Sequence, residues 1–162
     1  MSMVNNTRSQ SPLLETKIKV AIRKRGTEFL GLVLISLAIL TAISLWSHSP
    51  NDPNFLNSTS GEIQNKMGFV GASYAGTLML AIGWASWTFT LALLVWGIRL
   101  ALHKNNYLIL RRGAFLPVFS AFCAVFLATN VTPNSWPYSF SLGGFSGDAI
   151  LEILLDLNPI DL

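Results

Sequence analysis

The sequence predicts an all-α membrane protein: a bundle of three complete transmembrane helices, with a basic amphipathic helix before it and an acidic amphipathic helix after it. Three observations carry this. Charged residues make up 12% of the 162, about half the share in ordinary globular domains. Apolar residues make up 51% and fall in blocks approaching the ~20 needed to cross ~30 Å of hydrocarbon as a helix. The lysines and arginines, finally, alternate between crowded and nearly empty segments.

Residues 1–28 form a basic segment carrying Arg8, Lys17, Lys19, Arg23, Lys24 and Arg25. Ser11-Pro12 reads as an N-cap followed by a first-turn proline. Leu14, Ile18 and Ile22 then fall at i, i+4 and i+8. Residues 12–25 are expected either as a short amphipathic helix lying on an anionic inner leaflet or as a partly disordered, solvated tail.

Residues 29–47 contain no charge, and eleven are Leu, Ile, Val or Phe. Insertion gains roughly −3 to −6 kcal/mol from them, and nothing inside the block opposes it. A cleaved signal peptide is the competing reading. Against it, the apolar run is too long, the preceding segment is too long, and Ser47-His48-Ser49 is a poor cleavage site.

Residues 48–67 are rich in Pro, Asn and Ser and read as a loop. From Gly68 to Ile98 the chain is again uncharged. As one helix this stretch would be about 46 Å long, well beyond the hydrocarbon thickness. Span two is therefore expected at about 77–98, with GFVGASYAG partly outside or steeply tilted. Trp84 and Trp87 then fall too deep to anchor at an interface, whereas Trp96 has the right depth. A basic loop follows at 99–112. Span three is expected at about 113–131, with Pro117 near its first turn, where backbone donors lack helical partners anyway. Residues 132–162 form a second loop and an apolar tail interrupted by acids.

Topology follows from charge. Of the 11 lysines and arginines, six precede span one, one lies in the first loop, four lie in the second and none follows span three. Three crossings thus put ten on one side. The positive-inside rule assigns that side to the cytoplasm, N-terminus included, and puts loops 48–67 and 132–162 outside.

No catalytic constellation is present. There is no GxxxxGK[ST] loop, and the net charge of +3 gives no reason to expect nucleic-acid contact. His48 and His103 fall at opposite membrane faces; His48 reads as a solvated loop histidine. Cys123 reads as packing. The absence of charge deep in any span argues against an ion pathway or an intramembrane enzyme. Asp148, Glu152 and Asp156 recur at i, i+4 and i+8 as an acidic stripe. That stripe suits a docking face for a basic partner, a weak cation site, or the wet side of an interfacial helix. Gly68, Ala72 and Gly76, then Ala81 and Ala85, give small-xxx-small spacing. This allows close helix packing within the chain or self-association.

Certain loop residues add a resemblance. SLWSHSPNDPNF followed by QNKMGFVGASYAG, and later WPYSFSLGGFSGDAIL, resemble the two extracytoplasmic loops of the N-terminal four-span membrane domain of the FtsK/SpoIIIE family of DNA translocases. The likeness covers about residues 25–157. It implies a septum-assembly and anchoring module in a bacterial inner membrane, serving cell division and chromosome segregation. It further implies possible self-association, since the family motor is hexameric, and contacts with other division proteins. The fourth span and the motor are absent from this sequence, so the resemblance implies a truncated chain that is not itself an enzyme. ATP and Mg would be needed only in the motor, and no cofactor or metal is expected here. Pro50, Asp52 and Pro53 would shape the first loop, Asp52 by accepting local backbone hydrogen bonds. Gly68 and Gly71 belong to the motif that follows. Gly143, Gly144 and Gly147 would form the turn before the last helix, with Asp148 as its N-cap. A small stand-alone membrane protein, such as a complex subunit or small transporter, is the alternative.

Overall fold

A computed structural model describes residues 12–103, 113 and 115–157, with side chains from residue 17 onward. It is built of helices and loops: α1 (Pro12–Trp46), α2 (Gly68–Ile82), a 3-10 turn (Gly83–Ser86), α3 (Trp87–Ala101), α4 (Leu116–Ala128) and α5 (Gly144–Leu157). No strand occurs among the described residues. Arg8, Lys104, Arg111 and Arg112 lie outside them.

The packing is inside-out relative to a soluble protein. The interior is made mainly of small residues, Ala38, Ala72, Ala75, Ala85 and Ala124 with Ser44, Ser73, Ser86, Thr90 and Ser120, joined by the larger Leu45, Met79 and Leu100. Leu32, Ile39, Leu91, Val95, Phe119, Phe122 and Phe126 point outward and are each at least half exposed. Water would not tolerate such a surface. Lipid does, because hydrocarbon surroundings leave close packing of small residues as the main force between helices. By length and composition alone, Lys17–Trp46 and the interrupted segment Gly68–Ala101 suffice to cross a membrane; Leu116–Ala128 is apolar but shorter.

α1 and α3 run antiparallel with their backbones nearly touching. A Cβ at Gly31 would fall 2.5 Å from Ala101 N, and one at Gly97 would fall 2.8 Å from Ile35 N. Further along, Thr90 Oγ1 donates to Thr41 Oγ1 at 3.3 Å. At one end His103 Nε2 lies 3.5 Å from Glu28 Oε1, and Arg25 pairs with Glu28 at 3.0 Å. Arg23, Lys24 and Arg25 of α1 share this basic end with Arg99 of α3, while the described loops occupy the other end.

Two expectations about the helices are corrected. The segment 12–25 is not a separate helix on a leaflet: α1 runs unbroken from Pro12 to Trp46. No proline interrupts it after its first residue, and Gly26 alone costs only about 1 kcal/mol. Conversely, the stretch at 77–98 is not one helix. It breaks at Gly83, where φ is 57°, passes through the 3-10 turn and resumes at Trp87.

That break redirects the chain. Were α2 collinear with α3, its start would project about 28 Å past Trp87. Instead, a Cβ at Gly71 would lie 3.1 Å from Ser44 Oγ near the end of α1. α2 therefore crosses the loop end from Ser44 of α1 toward Leu142. Trp84 and Trp87 consequently lie at the loop end, where with Leu45, Trp46, Met79 and Leu127 they line an apolar groove of about 580 Å³. The small residues Ala72 and Ala85 are buried within the chain, so these members of the small-xxx-small face serve intramolecular packing.

Candidate functional site

The built feature of this protein is the polar knot at the loop end, assembled from residues far apart in sequence. Ser49–Asp52 forms a turn closed by Asp52 N–H donating to Ser49 O at 3.2 Å. Pro50 takes its second position, where a fixed φ suits the turn, and Pro53 follows half-buried. Asp52 is 1% exposed. Its carboxylate does not serve the turn locally, as expected, but accepts Gln64 N–H on Oδ1 and Asn65 N–H on Oδ2, both at 2.9 Å. A buried carboxylate needs such donors to offset lost hydration, and here they lie 12 and 13 residues away. The loop is thus closed on itself.

Asn65 carries the closure to the helices. Its Nδ2 donates to Ser44 O at 2.8 Å, while its Oδ1 accepts Met67 N–H at 3.0 Å just before α2. Lys66 N–H donates to Ser47 Oγ at 3.0 Å. Gly68, with φ of 63°, opens α2, and Gly71 is buried where a Cβ would meet Met67, Asn65 and Ser44. Asn65 belongs to the QNKMGFVGASYAG stretch that carries the resemblance, but that pattern gave it no role; its contacts depend on how the loop returns to α1.

The second loop docks onto this knot through glycine. Trp84 N–H donates to Leu142 O at 2.9 Å. A Cβ on Gly83 would fall 2.1 Å from Leu142 O, and one on Gly144 would fall 2.4 Å from Gly83 N. Gly143 and Gly147 both press on Ala124 O of α4, at 2.0 and 2.6 Å from their would-be Cβ atoms. LGGFSG is therefore a backbone seam between the α2–α3 break and α4. Asp148 is not the N-cap of the last helix, because α5 starts at Gly144. Its Oδ2 instead accepts Ser141 N–H at 3.0 Å, holding the loop that precedes the seam. With Asp148 turned inward, the stripe reduces to exposed Glu152 and Asp156. Among the described residues no group of three acids, histidines or cysteines could hold a metal ion.

Aromatic residues join the two loops. His48 Nε2 and Tyr138 Oη share a short hydrogen bond, and their rings stack at 6.2 Å. Tyr138 stacks in turn on Phe140 at 4.7 Å, and Trp136 Nε1 donates to Phe140 O at 2.7 Å. His48 is thus not a solvated loop histidine. Burial lowers its pKa from 6.5, and the nearby Asp52 opposes that only in part. Burial also pushes the Tyr138 hydroxyl up to about 12, so it stays protonated. This arrangement fixes two loops against three helices.

No solved structure matches the chain. Among curated relatives, it is 32% identical over 148 residues to DNA translocase FtsK of Brucella melitensis, covering 87% of this chain and 18% of that protein. It is 30% identical to DNA translocase FtsK of Bradyrhizobium diazoefficiens, covering 86% and 17%. Against DNA translocase FtsK of Caulobacter vibrioides it is 28% identical, covering 91% and 19%. The chain thus spans under a fifth of the length of these relatives. Residues 23–158 match the family model described as the 4TM region of DNA translocase FtsK/SpoIIIE, and the chain belongs to that family.

Proposed function

We propose that this chain is the membrane-anchoring and septum-assembly module of a bacterial DNA translocase acting in cell division and chromosome segregation. The observation that carries the reading is the family match over residues 23–158, on a scaffold whose outward surface suits lipid. The basic end, with Arg23, Lys24, Arg25 and Arg99, faces the cytoplasm, and the knotted loops face the opposite compartment. This orientation rests on the asymmetry of lysine and arginine along the sequence. Bilayer lipid is the module's first partner. The closed loops supply a rigid surface for other division proteins, and self-association through the membrane domain would accompany a hexameric motor. The module's role is to hold and place; ATP-driven DNA movement belongs to other parts of such a translocase, and no DNA contact is assigned to these residues.

A fluorescent fusion tests this in dividing cells. Enrichment at the division site is expected. Uniform distribution around the membrane throughout the cycle would contradict the septal role while leaving membrane anchoring intact.

A further inference from the structure

We infer that α2 is an in-plane interfacial helix: one face is covered by the protein's own loops, and the opposite face, with Val70, Thr77 and Ala81, is seated in the lipid leaflet at the loop end. The inference deepens the membrane reading above and depends on it. Depth provides the first argument. Glu28 and His103 mark one boundary of the α1–α3 pair. Trp46, eighteen residues beyond Glu28, lies about 27 Å away along α1, close to the ~30 Å hydrocarbon thickness. Both ends of α2 sit at the Trp46 boundary. Lys66 N–H rests on Ser47 Oγ just before the helix, Gly71 lies against Ser44, and Trp84 and Trp87 beyond its other end share a groove with Leu45 and Trp46.

Chemistry provides the second. An interfacial helix ordinarily carries its own polar face, yet no charge occurs between Lys66 and Arg99. Here the loops provide that face. Asn54 Nδ2 would lie 2.9 Å from a Cβ on Gly76, and Asn65 Oδ1 would lie 2.4 Å from one on Gly71. The far side is left bare. Val70 is 77% exposed, and Thr77 and Ala81 are also exposed; at i, i+7 and i+11 they form one line along the helix. Phe55, 79% exposed, meets Phe69 edge-on at 5.0 Å and extends the apolar surface beside α2. Beyond the break, Trp84 and the α3 residues Leu91 and Val95 are also exposed. Tryptophan at that level is the expected neighbour of headgroups. The leaflet is therefore the occupant that this surface fits.

Nitroxide depth measurements on the full chain test the inference. Single cysteines at Val70→Cys, Thr77→Cys or Val95→Cys, in a Cys123→Ala background, would be spin-labelled in nanodiscs of phosphatidylethanolamine and phosphatidylglycerol. Collision with oxygen against a water-soluble nickel chelate reports depth. Labels at 70 and 77 are expected at the same shallow depth near the headgroups, with the label at 95 deep in hydrocarbon. A difference near 10 Å between 70 and 77, the rise of seven helical residues, would overturn the inference in favour of a spanning α2. Full nickel access at both positions would overturn it in favour of an aqueous face. Immobile labels shielded from both reagents would overturn it in favour of a protein partner or second copy. A shallow label at 95 would instead defeat the membrane reading itself.

Discussion

Asp52 and His48 show how single residues hold the loop end. The Asp52 carboxylate is buried and accepts two consecutive backbone amides. Asp52→Asn keeps the shape but aims an amide N–H₂ at one of those donors. We expect a loss of about 2–3 kcal/mol, read as a lower melting temperature in detergent and faster protease cutting between residues 52 and 65. His48 makes the clasp pH-dependent. Its Nδ1 is buried without a partner, so protonation would add charge to a half-buried ring. Burial lowers the folded pKa below 6.5, so the unfolded loops bind the proton more readily. Stability from this residue is therefore complete above pH 6.5 and lost as pH falls from there through the lowered folded value. Protease sensitivity of residues 132–143 should rise over that window in the native protein and stay flat in His48→Phe. The sequence marked Asp52 as a loop-shaping residue but could not disclose its partners, because contacts 12 residues or more away are set by how the loop returns. His48 was misread for the same reason: its burial depends on Tyr138, 90 residues further on.

At the level of elements, the decisive feature is the break between α2 and α3. Gly83 and Gly144 both have positive φ, and each occupies space that the other's Cβ would need. Gly83→Ala or Gly144→Ala combines a left-handed backbone with a clash against main chain, expected to cost about 2–4 kcal/mol. Gly26→Ala is the contrasting case: nothing lies within 4 Å of its Cβ position, and α1 should gain about 0.5–1 kcal/mol. Thermal denaturation of the three variants in one detergent would compare them directly. Helix composition was plain in the sequence because uncharged runs have few other options in a bilayer. The break was not, since one glycine inside an apolar run reads equally well as a tolerated interior residue. Only the backbone of Leu142 and Gly144 pressing on Gly83 makes it obligatory. The LGG-x-x-G spacing was visible in the sequence, but its cause was not. These glycines admit neighbouring backbone rather than merely turning the chain.

For the whole molecule, the balance of forces matches membrane insertion: bulky residues outside, alanine, serine and glycine within, and the described cations gathered mainly at the end opposite the loops. That much was legible because Lys and Arg must choose a compartment when the helices between them cannot stay in water. The position of α2 was not legible, since hydropathy measures how apolar a helix is and says nothing of its direction. Orientation is the central claim, because a rigid loop surface can serve partners beyond the membrane only if it faces them. It is tested most directly by labelling intact cells with a membrane-impermeant maleimide, using single cysteines at Asn57 and at Arg23 in a Cys123→Ala background. The account expects Asn57→Cys to react once the outer layers admit the reagent, and Arg23→Cys to react only after the inner membrane is opened. Labelling of both from the same side would contradict it.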